Sequence, residues 1–481
     1  MFFKYYRTPL LLLALLFTTN LLFAQTPGHA IKVRLKGVTE GRVCHLAHFF
    51  GYNQYIKVDS AKVENGVLNF QGKDPLKGGI YLIVLSPSKY YDFAVDGKEQ
   101  FMEIESDTTD FVGHVKFKGS KENELLFAYR KFLQDKSREA EGITALSKGK
   151  NDPALQEATR KQMDKIQTDV DTYMKNFIST NGNSFAAKVI KSNMEPELPK
   201  ELPKKANGRP DSTYLFNFYK KHFFDNVDFT DERLLRSPFL HSRVERYFKD
   251  LVYQVSDSIK RDADKVLKLA MPNQEVYRFV LWQITNKYEN SEIVGLDGVF
   301  VHLAENYYLK NAPWLDSTQR AKFKERVDIL KPLQTGFVFP ELIVSDSLGR
   351  EYSPMQSKTQ YTIVHFYDPE CGHCKESAPK LMDFYHANKG KVTIYNVSIV
   401  YDRKKISNFV QTYKTGELLN LWDAKGRYYF RNNFDVYSTP TNYILDKNKR
   451  IIARRIPVDK LEDFINFYER QQNMKLANEA K

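Results

Sequence analysis

Residues 361–379 read YTIVHFYDPECGHCKESAP, and this stretch decides how the last third of the chain folds. The run from Tyr361 to Tyr367 is apolar, β-branched and aromatic, which predicts a buried strand. After a short acidic turn, Cys371-Gly372-His373-Cys374 opens a helical pattern. Two cysteines with this spacing can close a small disulfide ring, and the positive end of the helix dipole favours the thiolate of the first. The stretch therefore predicts a strand that leads into a helix carrying a redox or metal-binding cysteine pair.

The length and composition of the chain are those of a folded protein with several domains. Its 481 residues exceed the usual size of a single domain. A hydrophobic content of 42% argues against general disorder. The net charge of +13 is spread along the chain rather than gathered into a basic arm. We therefore interpret the charge as a solvated surface and expect no nucleic-acid partner.

The first 24 residues have the pattern of a secretory signal peptide. Lys4 and Arg7 precede an apolar run from Pro9 to Phe17, and Ala24 supplies a small residue at a cleavage point. The run is too short to span a bilayer as a helix, which favours a signal peptide over the alternative of an uncleaved anchor. We expect cleavage after Ala24 and a mature protein that is periplasmic or associated with the envelope.

Cysteine usage favours redox chemistry over a structural role. Cys44, Cys371 and Cys374 do not make a disulfide framework in a chain of this size. Cys44 falls in a strand pattern and is interpreted as a small buried residue. A structural zinc site needs four ligands, and the sequence shows no second cysteine pair to complete one. His302 and Glu305 have HxxE spacing, but no second ligand pair accompanies them. We expect no metal and no cofactor.

Patterning divides the remainder of the chain into three domains. Residues 25–118 contain short strand patterns, with Asn65-Gly66 as a hairpin turn, and predict an all-β, sandwich-like accessory domain. Residues 119–333 show helical periodicity, including the start signal Asp152-Pro153, and predict an all-α accessory domain. Residues 334–481 run βαβα and then ββα after a leading hairpin. That order predicts an α/β domain with a mixed sheet.

Residues 334–481 resemble the secreted TlpA/ResA-type thioredoxin-like thiol-disulfide oxidoreductases. The matching features are the hairpin at Gly336…Pro340, the strand into the CGHC motif, Pro379 within the helix, and Thr439-Pro440 before a strand. The β and helical regions are similar to uncharacterised domains that precede such thioredoxins. The resemblance implies a thioredoxin fold with a redox-active disulfide between Cys371 and Cys374.

The resemblance also assigns roles to four residues. Cys371 is expected to be the nucleophile whose thiolate attacks a substrate disulfide, and Cys374 the residue that resolves the mixed disulfide. Pro440 is expected to follow a cis peptide bond and to face the cysteine pair. The backbone of Thr439 would then pair with an extended segment of the substrate.

Three further side chains are expected to tune the pair. His373, when protonated, can stabilise the Cys371 thiolate, or it can face solvent with a modest effect. Glu370 stands where many relatives have tryptophan, and its charge should raise the pKa of Cys371. His365 stands where thioredoxins have a buried acid. It could act as a proton relay for Cys374, or it could be a core histidine satisfied by a neighbour.

These features predict a periplasmic thiol-disulfide oxidoreductase with two accessory domains. We expect a reductase that is kept reduced by a membrane electron donor and that acts on disulfides of envelope proteins. One alternative is an oxidase or isomerase of the same fold, which the Gly372-His373 dipeptide favours because protein disulfide isomerase has it as well. Another is a non-enzymatic envelope binding protein with a residual CxxC.

Overall fold

A computed structural model describes residues 28–51, 54–205, 207–209, 211–289, 291 and 293–479. The predicted signal peptide, residues 1–24, lies outside them. Within the described ranges, the helices are all too short or too polar to cross a membrane. The chain forms two compact units, one ending at residue 244 and the other beginning at residue 245.

The first unit begins with eight strands in two four-stranded sheets. The strands are β1 (His29–Lys36), β2 (Val43–Phe50), β3 (Gln54–Lys62), β4 (Val67–Gly72), β5 (Gly79–Ser86), β6 (Lys89–Val95), β7 (Phe101–Asp107) and β8 (Lys116–Lys118). One sheet has the order β4-β1-β7-β8 and the other β3-β2-β5-β6. Cys44 is fully buried in β2, which agrees with its interpretation as a small core residue.

The Asn65-Gly66 turn closes the predicted hairpin over a single antiparallel pair, Glu64 with Val67, but the strands on either side do not continue the pairing. Both residues have positive φ, 53° and 72°, as a tight turn requires. The strand before the turn, β3, pairs with β2, whereas the strand after it, β4, pairs with β1. The turn therefore carries the chain from one sheet to the other. Local turn chemistry is correct here, but the pairing partners are decided by the rest of the unit.

The helices of the first unit are α1 (Phe111–His114), α2 (Lys121–Ser147), α3 (Pro153–Asn181), α4 (Phe185–Ser192), α5 (Ser212–His222) and α6 (Pro238–Arg246), which contains the boundary between the units. Asp152 caps α3 by accepting hydrogen bonds from the backbone of Ala154 and Leu155. Asn123 joins α2 to β6, because its side-chain amide exchanges two hydrogen bonds of 2.7 Å with the backbone of Ala94. The first helices are thus anchored on the β region.

The second unit begins with helices and ends with the α/β domain. Its first helices are α7 (Ser256–Ala270), α8 (Gln274–Glu289), α9 (Asp297–Leu303), α10 (Leu309–Asn311) and α11 (Ser317–Leu330). The helical stretch predicted at 119–333 is therefore divided between the two units. Its end packs on the C-terminal sheet, since Ile329 and Leu333 belong to one apolar cluster with Phe366 and Leu445.

The C-terminal domain is built on a seven-stranded sheet. Its strands are β9 (Val344–Ser345), β10 (Glu351–Tyr352), β11 (Tyr361–Tyr367), β12 (Val392–Ser398), β13 (Leu419–Trp422), β14 (Thr441–Leu445) and β15 (Ile451–Arg454). The order is β10-β9-β13-β12-β11-β14-β15, with β11 parallel to β12 and antiparallel to β14. The mixed sheet confirms the predicted α/β architecture of the C-terminal domain, which follows a β region and a helical region along the chain.

Four helices accompany this sheet: α12 (Gly372–Ala387), α13 (Arg403–Thr412), α14 (Phe430–Phe434) and α15 (Leu461–Glu479). Successive residues of a strand face opposite sides of the sheet. Accordingly, Phe366 packs with Phe434 of α14, whereas Ile363 packs with Leu381 of α12 and Ile465 of α15. Because α12 follows β11 directly, its N-terminus lies at the C-terminal end of β11, an interior strand of the sheet.

Candidate active site

Cys371 lies at the junction between β11 and α12. It is the N-cap residue of α12, and its side chain is partly exposed. The Sγ–H group donates a hydrogen bond of 3.2 Å to the backbone oxygen of Thr439. The sulfur therefore lies between the start of a helix and the loop that precedes β14.

The surroundings of Cys371 favour its thiolate. Burial raises the pKa of this thiol, but hydrogen bonds outweigh burial and hold the pKa below its ordinary value. The bonds involve the side chain of Thr439 and the backbone N–H groups of Cys374 and His373. Since the thiolate is the reactive form of cysteine, this environment activates Cys371 as a nucleophile.

Cys374 has the opposite environment one helical turn later. Its side chain is fully buried and packs in an apolar cluster with Tyr367, Ala378 and Phe409. Burial raises the pKa of Cys374 to about 12, although a backbone hydrogen bond from Asp368 opposes the rise. Both cysteines are free thiols. The pair therefore joins an accessible, activated sulfur to a buried sulfur that holds its proton.

The Thr439–Pro440 loop lies beside this pair. Its peptide bond is cis, the geometry that the resemblance predicts. The loop is fixed at its end, where Thr441 pairs in register with Phe366 of β11 and donates a hydrogen bond of 2.7 Å to the backbone of Ser438. The fold thus brings the predicted nucleophile and the predicted substrate-binding loop together.

Glu370 is paired with a cation that the sequence gives no reason to place there. Lys405, on α13, donates a hydrogen bond of 2.6 Å from Nζ to Glu370 Oε2. The same hydrogen bond raises the pKa of Lys405. The predicted influence of Glu370 on Cys371 therefore depends on a positive charge that pairs with its carboxylate.

The His373 side chain extends into solvent. It is 86% exposed, and its Nδ1 lies 3.8 Å from the carboxylate of Glu376 one turn along the helix. The hydrogen bond that His373 contributes to the Cys371 thiolate comes from its backbone N–H group. A role for the imidazole itself stays a prediction.

His365 is buried in β11 with a defined hydrogen-bond partner. Its Nδ1 lies 2.6 Å from Asn442 Oδ1. The amide of Asn442 is oriented by a bond of 2.7 Å from its Nδ2 to the backbone oxygen of Ile456. The network therefore assigns the proton to Nδ1 of the imidazole. Burial lowers the pKa of His365 to about 4, so the ring is neutral at physiological pH and a weak base.

His365 belongs to a row of polar side chains that crosses four strands. In register, Asn442 of β14 lies beside His365, His365 beside Asn396 of β12, and Asn396 beside Asn420 of β13. Asn396 Nδ2 donates to Asn420 Oδ1 at 2.8 Å. Sequence reasoning missed this row because its members are far apart along the chain and meet only through strand register.

Tyr367 is a second feature that sequence reasoning missed. Its hydroxyl is buried and has no hydrogen-bond partner among the described residues. The ring packs in the same cluster as Cys374. Burial raises the pKa of the phenol, and the nearby Cys374 raises it further. The available signal was a tyrosine as the last residue of a largely apolar strand.

The HxxE pair in the helical region is engaged in other contacts. His302 Nε2 lies 2.7 Å from Asp264 Oδ1, and Glu305 accepts a hydrogen bond of 2.7 Å from Lys331 Nζ. Throughout the described part of the chain, no group of three or more His, Cys, Asp or Glu side chains is arranged to hold a metal ion.

Comparison with known proteins agrees with the fold of the C-terminal domain. Residues 359–451 match a family described as thioredoxin-like. A sporulation thiol-disulfide oxidoreductase A from Bacillus subtilis is 24% identical over 121 residues, which cover 24% of this chain and 72% of that protein. The C-terminal domain is thioredoxin-like, and it is similar to a thiol-disulfide oxidoreductase. The rest of the chain has no counterpart in that relative's alignment.

The regions before the thioredoxin-like domain match families without a known function. Residues 29–126 and residues 154–332 match two domains of unknown function, DUF4369 and DUF5106.

A crystal structure of a domain of a possible thiol-disulfide isomerase from Cytophaga hutchinsonii is 35% identical, covering 30% of this chain and 98% of that one, with a TM-score of 0.29. A thioredoxin-like protein from Bacteroides caccae is 16% identical, covering 56% and 99%, with a TM-score of 0.45.

Proposed function

We propose that this protein is a periplasmic thiol-disulfide reductase that reduces disulfides of envelope proteins through its CGHC pair. The observation that carries the proposal is the asymmetry of the pair. Cys371 is accessible and its pKa is lowered, whereas Cys374 is buried and its pKa is raised to about 12. A thiol-disulfide oxidoreductase needs one sulfur that attacks the substrate disulfide and a second that resolves the mixed disulfide.

The reaction transfers two electrons from the dithiol to the substrate. The Cys371 thiolate attacks one sulfur of a substrate disulfide; the S–S bond breaks, a mixed disulfide forms and the first substrate thiolate leaves. Cys374 then loses its proton and attacks Cys371 Sγ. The mixed disulfide breaks, the second substrate thiolate leaves, and the enzyme retains a Cys371–Cys374 disulfide. The substrate thiolates take up protons, and a membrane electron donor restores the dithiol.

The direction of electron flow depends on how strongly the Cys371 thiolate is stabilised. A strongly oxidising pair owes its potential to a nucleophilic thiolate that is stabilised far below its ordinary pKa. At Cys371 the His373 ring is exposed to solvent rather than packed against the sulfur. This exposure supports a reductant. The Gly372-His373 dipeptide supports the second candidate, an oxidase or isomerase.

Substrate trapping tests the proposal. The full mature chain with Cys374→Ser should accumulate mixed disulfides with envelope proteins through Cys371, because the resolving step is blocked. Mass spectrometry identifies the captured proteins, and Cys371→Ser is the matched control. Equal capture by the two variants would leave a binding protein with a residual CxxC as the better account.

Two measurements separate the candidates within the redox class. The reduction potential of the wild-type pair, measured against glutathione, should lie on the reducing side of protein disulfide isomerase, about −180 mV. A more oxidising value would favour the oxidase or isomerase. Cell fractionation tests the periplasmic location, which rests on the N-terminal sequence pattern.

A further inference from the structure

A buried carboxylate joins the helical region to the thioredoxin-like domain. Asp435 has a fully buried side chain just after α14. Arg326 of α11 donates to its Oδ1, while Arg454 and Arg455 donate to its Oδ2 at 2.6 and 2.5 Å. Arg326 is the partner that comes from outside the thioredoxin-like domain.

The helical region makes a second contact with this ion network. Arg454 of β15 is almost completely buried, and its other Nη atom lies 3.0 Å from the carboxylate of Asp297 in α9. A buried charge is costly unless it is paired and hydrogen-bonded, so these partners hold one another in place. Asp435 also has φ of 52°, a left-handed conformation that a residue other than glycine keeps when its surroundings fix it.

Arg326 also contacts the segment that leads to the active-site loop. Its guanidinium lies 5.2 Å from the ring centroid of Tyr437, and Arg431 lies 4.3 Å from the same centroid. Such distances allow cation–π attraction. Tyr437 stands two residues before Thr439, whose backbone oxygen accepts the hydrogen bond from Cys371. Contacts therefore run without interruption from α11 to the nucleophile.

We propose that Arg326 is a positioning residue of the active site, which holds the Asp435–Tyr437 segment so that Thr439 meets Cys371. The inference rests on the proposed role of Cys371 as nucleophile. It gives the end of the helical region a function: this region completes the thioredoxin-like site by bracing its substrate loop. An isolated thioredoxin-like domain lacks that brace.

The test uses the full mature chain with Arg326→Gln. Loss of the brace should let the Thr439 loop move away from Cys371, which removes the hydrogen bond between the Thr439 side chain and Cys371 that favours the thiolate. We expect the pH midpoint of Cys371 alkylation by iodoacetamide to rise, and kcat/KM for a disulfide-bonded peptide to fall about tenfold, within the range that small misplacements of reacting groups cost. Arg326→Lys keeps the charge and should recover part of the loss.

The matched control is Lys324→Gln on the same helix. Lys324 is exposed and pairs with Asp328 one turn away, so this variant should keep the wild-type midpoint and rate. A Tyr437→Ala variant should resemble Arg326→Gln. The double variant should be no worse than the more affected single one, because neighbouring residues that act through one segment are not additive.

The outcomes distinguish this inference from the proposed function. A wild-type midpoint in Arg326→Gln would overturn the brace while leaving the function intact. So would additive effects in the double variant, or lower thermal stability with an unchanged midpoint, which marks a role in folding alone. The alkylation readout needs no substrate, so it tests the brace even if the wild-type protein reduces no disulfide and the proposed function fails.

Discussion

Cys371 and Cys374 are three residues apart, but their sulfurs experience different surroundings. One lies at a helix N-terminus among hydrogen-bond donors, and the other lies in an apolar cluster with Tyr367 and Phe409. The charged form of a thiol is favoured by donors and disfavoured by burial, so the two pKa values move apart. At the scale of single residues, this separation is the property on which disulfide exchange depends.

The pair should titrate as two distinct thiols. In the reduced Cys374→Ser variant, alkylation of Cys371 should be half-maximal below the pH of an ordinary cysteine. In Cys371→Ser, Cys374 should react very slowly at pH 8, because burial raises its pKa to about 12 and restricts access. Stopped alkylation followed by mass spectrometry measures both. Similar rates for the two cysteines in folded protein would contradict the assigned roles.

His365 should make the folded protein sensitive to acid. An unfolded histidine titrates near pH 6.5, whereas burial lowers the pKa of His365 to about 4. Between these values the unfolded chain binds the additional proton, so the free energy of unfolding falls as the pH drops from 6.5 to 4. The contribution of this one residue is about 3 kcal/mol.

Replacing His365 tests this linkage. In His365→Gln, the free energy of unfolding should depend less steeply on pH between 6.5 and 4 than in the wild type. Urea unfolding of the reduced proteins at pH 7.5, 6 and 5 gives the comparison. Parallel pH profiles for the two proteins would show that His365 does not carry the acid sensitivity.

Whole elements bring charged and polar groups to the site from distant parts of the chain. Helix α13 supplies Lys405 to Glu370, and strands β12 and β14 supply the asparagines that flank His365. Each contact joins segments separated by dozens of residues. The chemistry of the CGHC helix is therefore tuned by neighbouring elements as well as by its own sequence.

Lys405→Gln should expose the influence of Glu370. Without the ammonium group, the carboxylate of Glu370 acts on Cys371 unopposed, and the pKa of Cys371 should rise. Glu370→Gln in the same background should reverse the rise. Alkylation rates as a function of pH measure both changes, and high salt should reduce them because the pair is at the surface. An unchanged midpoint in Lys405→Gln would mean that Glu370 does not reach the thiolate.

At the scale of the whole molecule, the boundary between the two compact units does not coincide with the ends of the regions that match sequence families. The helical pattern continues across residue 244, but the second compact unit combines residues 245–333 with the thioredoxin-like domain. Two kinds of contact account for this. Apolar side chains at the end of the helical region enter the core of the sheet, and Arg326 pairs with the buried Asp435.

Leu333→Ala should therefore destabilise the domain that contains the cysteines. Leu333 is fully buried against the sheet, and truncating such a residue costs about 2–5 kcal/mol. Alkylation of the buried Cys374 during a urea titration reports unfolding of the thioredoxin-like domain and should begin at lower urea in this variant. Leu348→Ala, at a position that is 75% exposed, is the control and should cost less than about 0.5 kcal/mol.

An independent helical domain would give another result. Leu333→Ala would then unfold the helices, as seen by circular dichroism, without changing the urea concentration at which Cys374 becomes reactive. That outcome would contradict the shared core.

The amino-acid sequence by itself determined the strand at 361–367, the helix that starts after Cys371 and the mixed α/β domain, and it named the cysteine pair as the candidate reactive centre. These follow from local periodicity, helix capping and residue chemistry, which act over a few neighbouring positions. The same locality explains Asn65-Gly66, where the turn formed and bridged Glu64 to Val67 as predicted, but β3 and β4 joined different sheets.

Tertiary structure alone decided the partners of each group. It paired Lys405 with Glu370 and gave buried His365 the Asn442 side chain as its hydrogen-bond partner. It also set Arg326 of the helical region beside Tyr437, just before the loop that faces Cys371. Burial and pairing depend on residues that are distant along the chain and meet only when the core forms. The sequence names the two candidate reacting sulfurs, whereas the folded molecule moves their pKa values apart and places the Thr439–Pro440 loop beside Cys371.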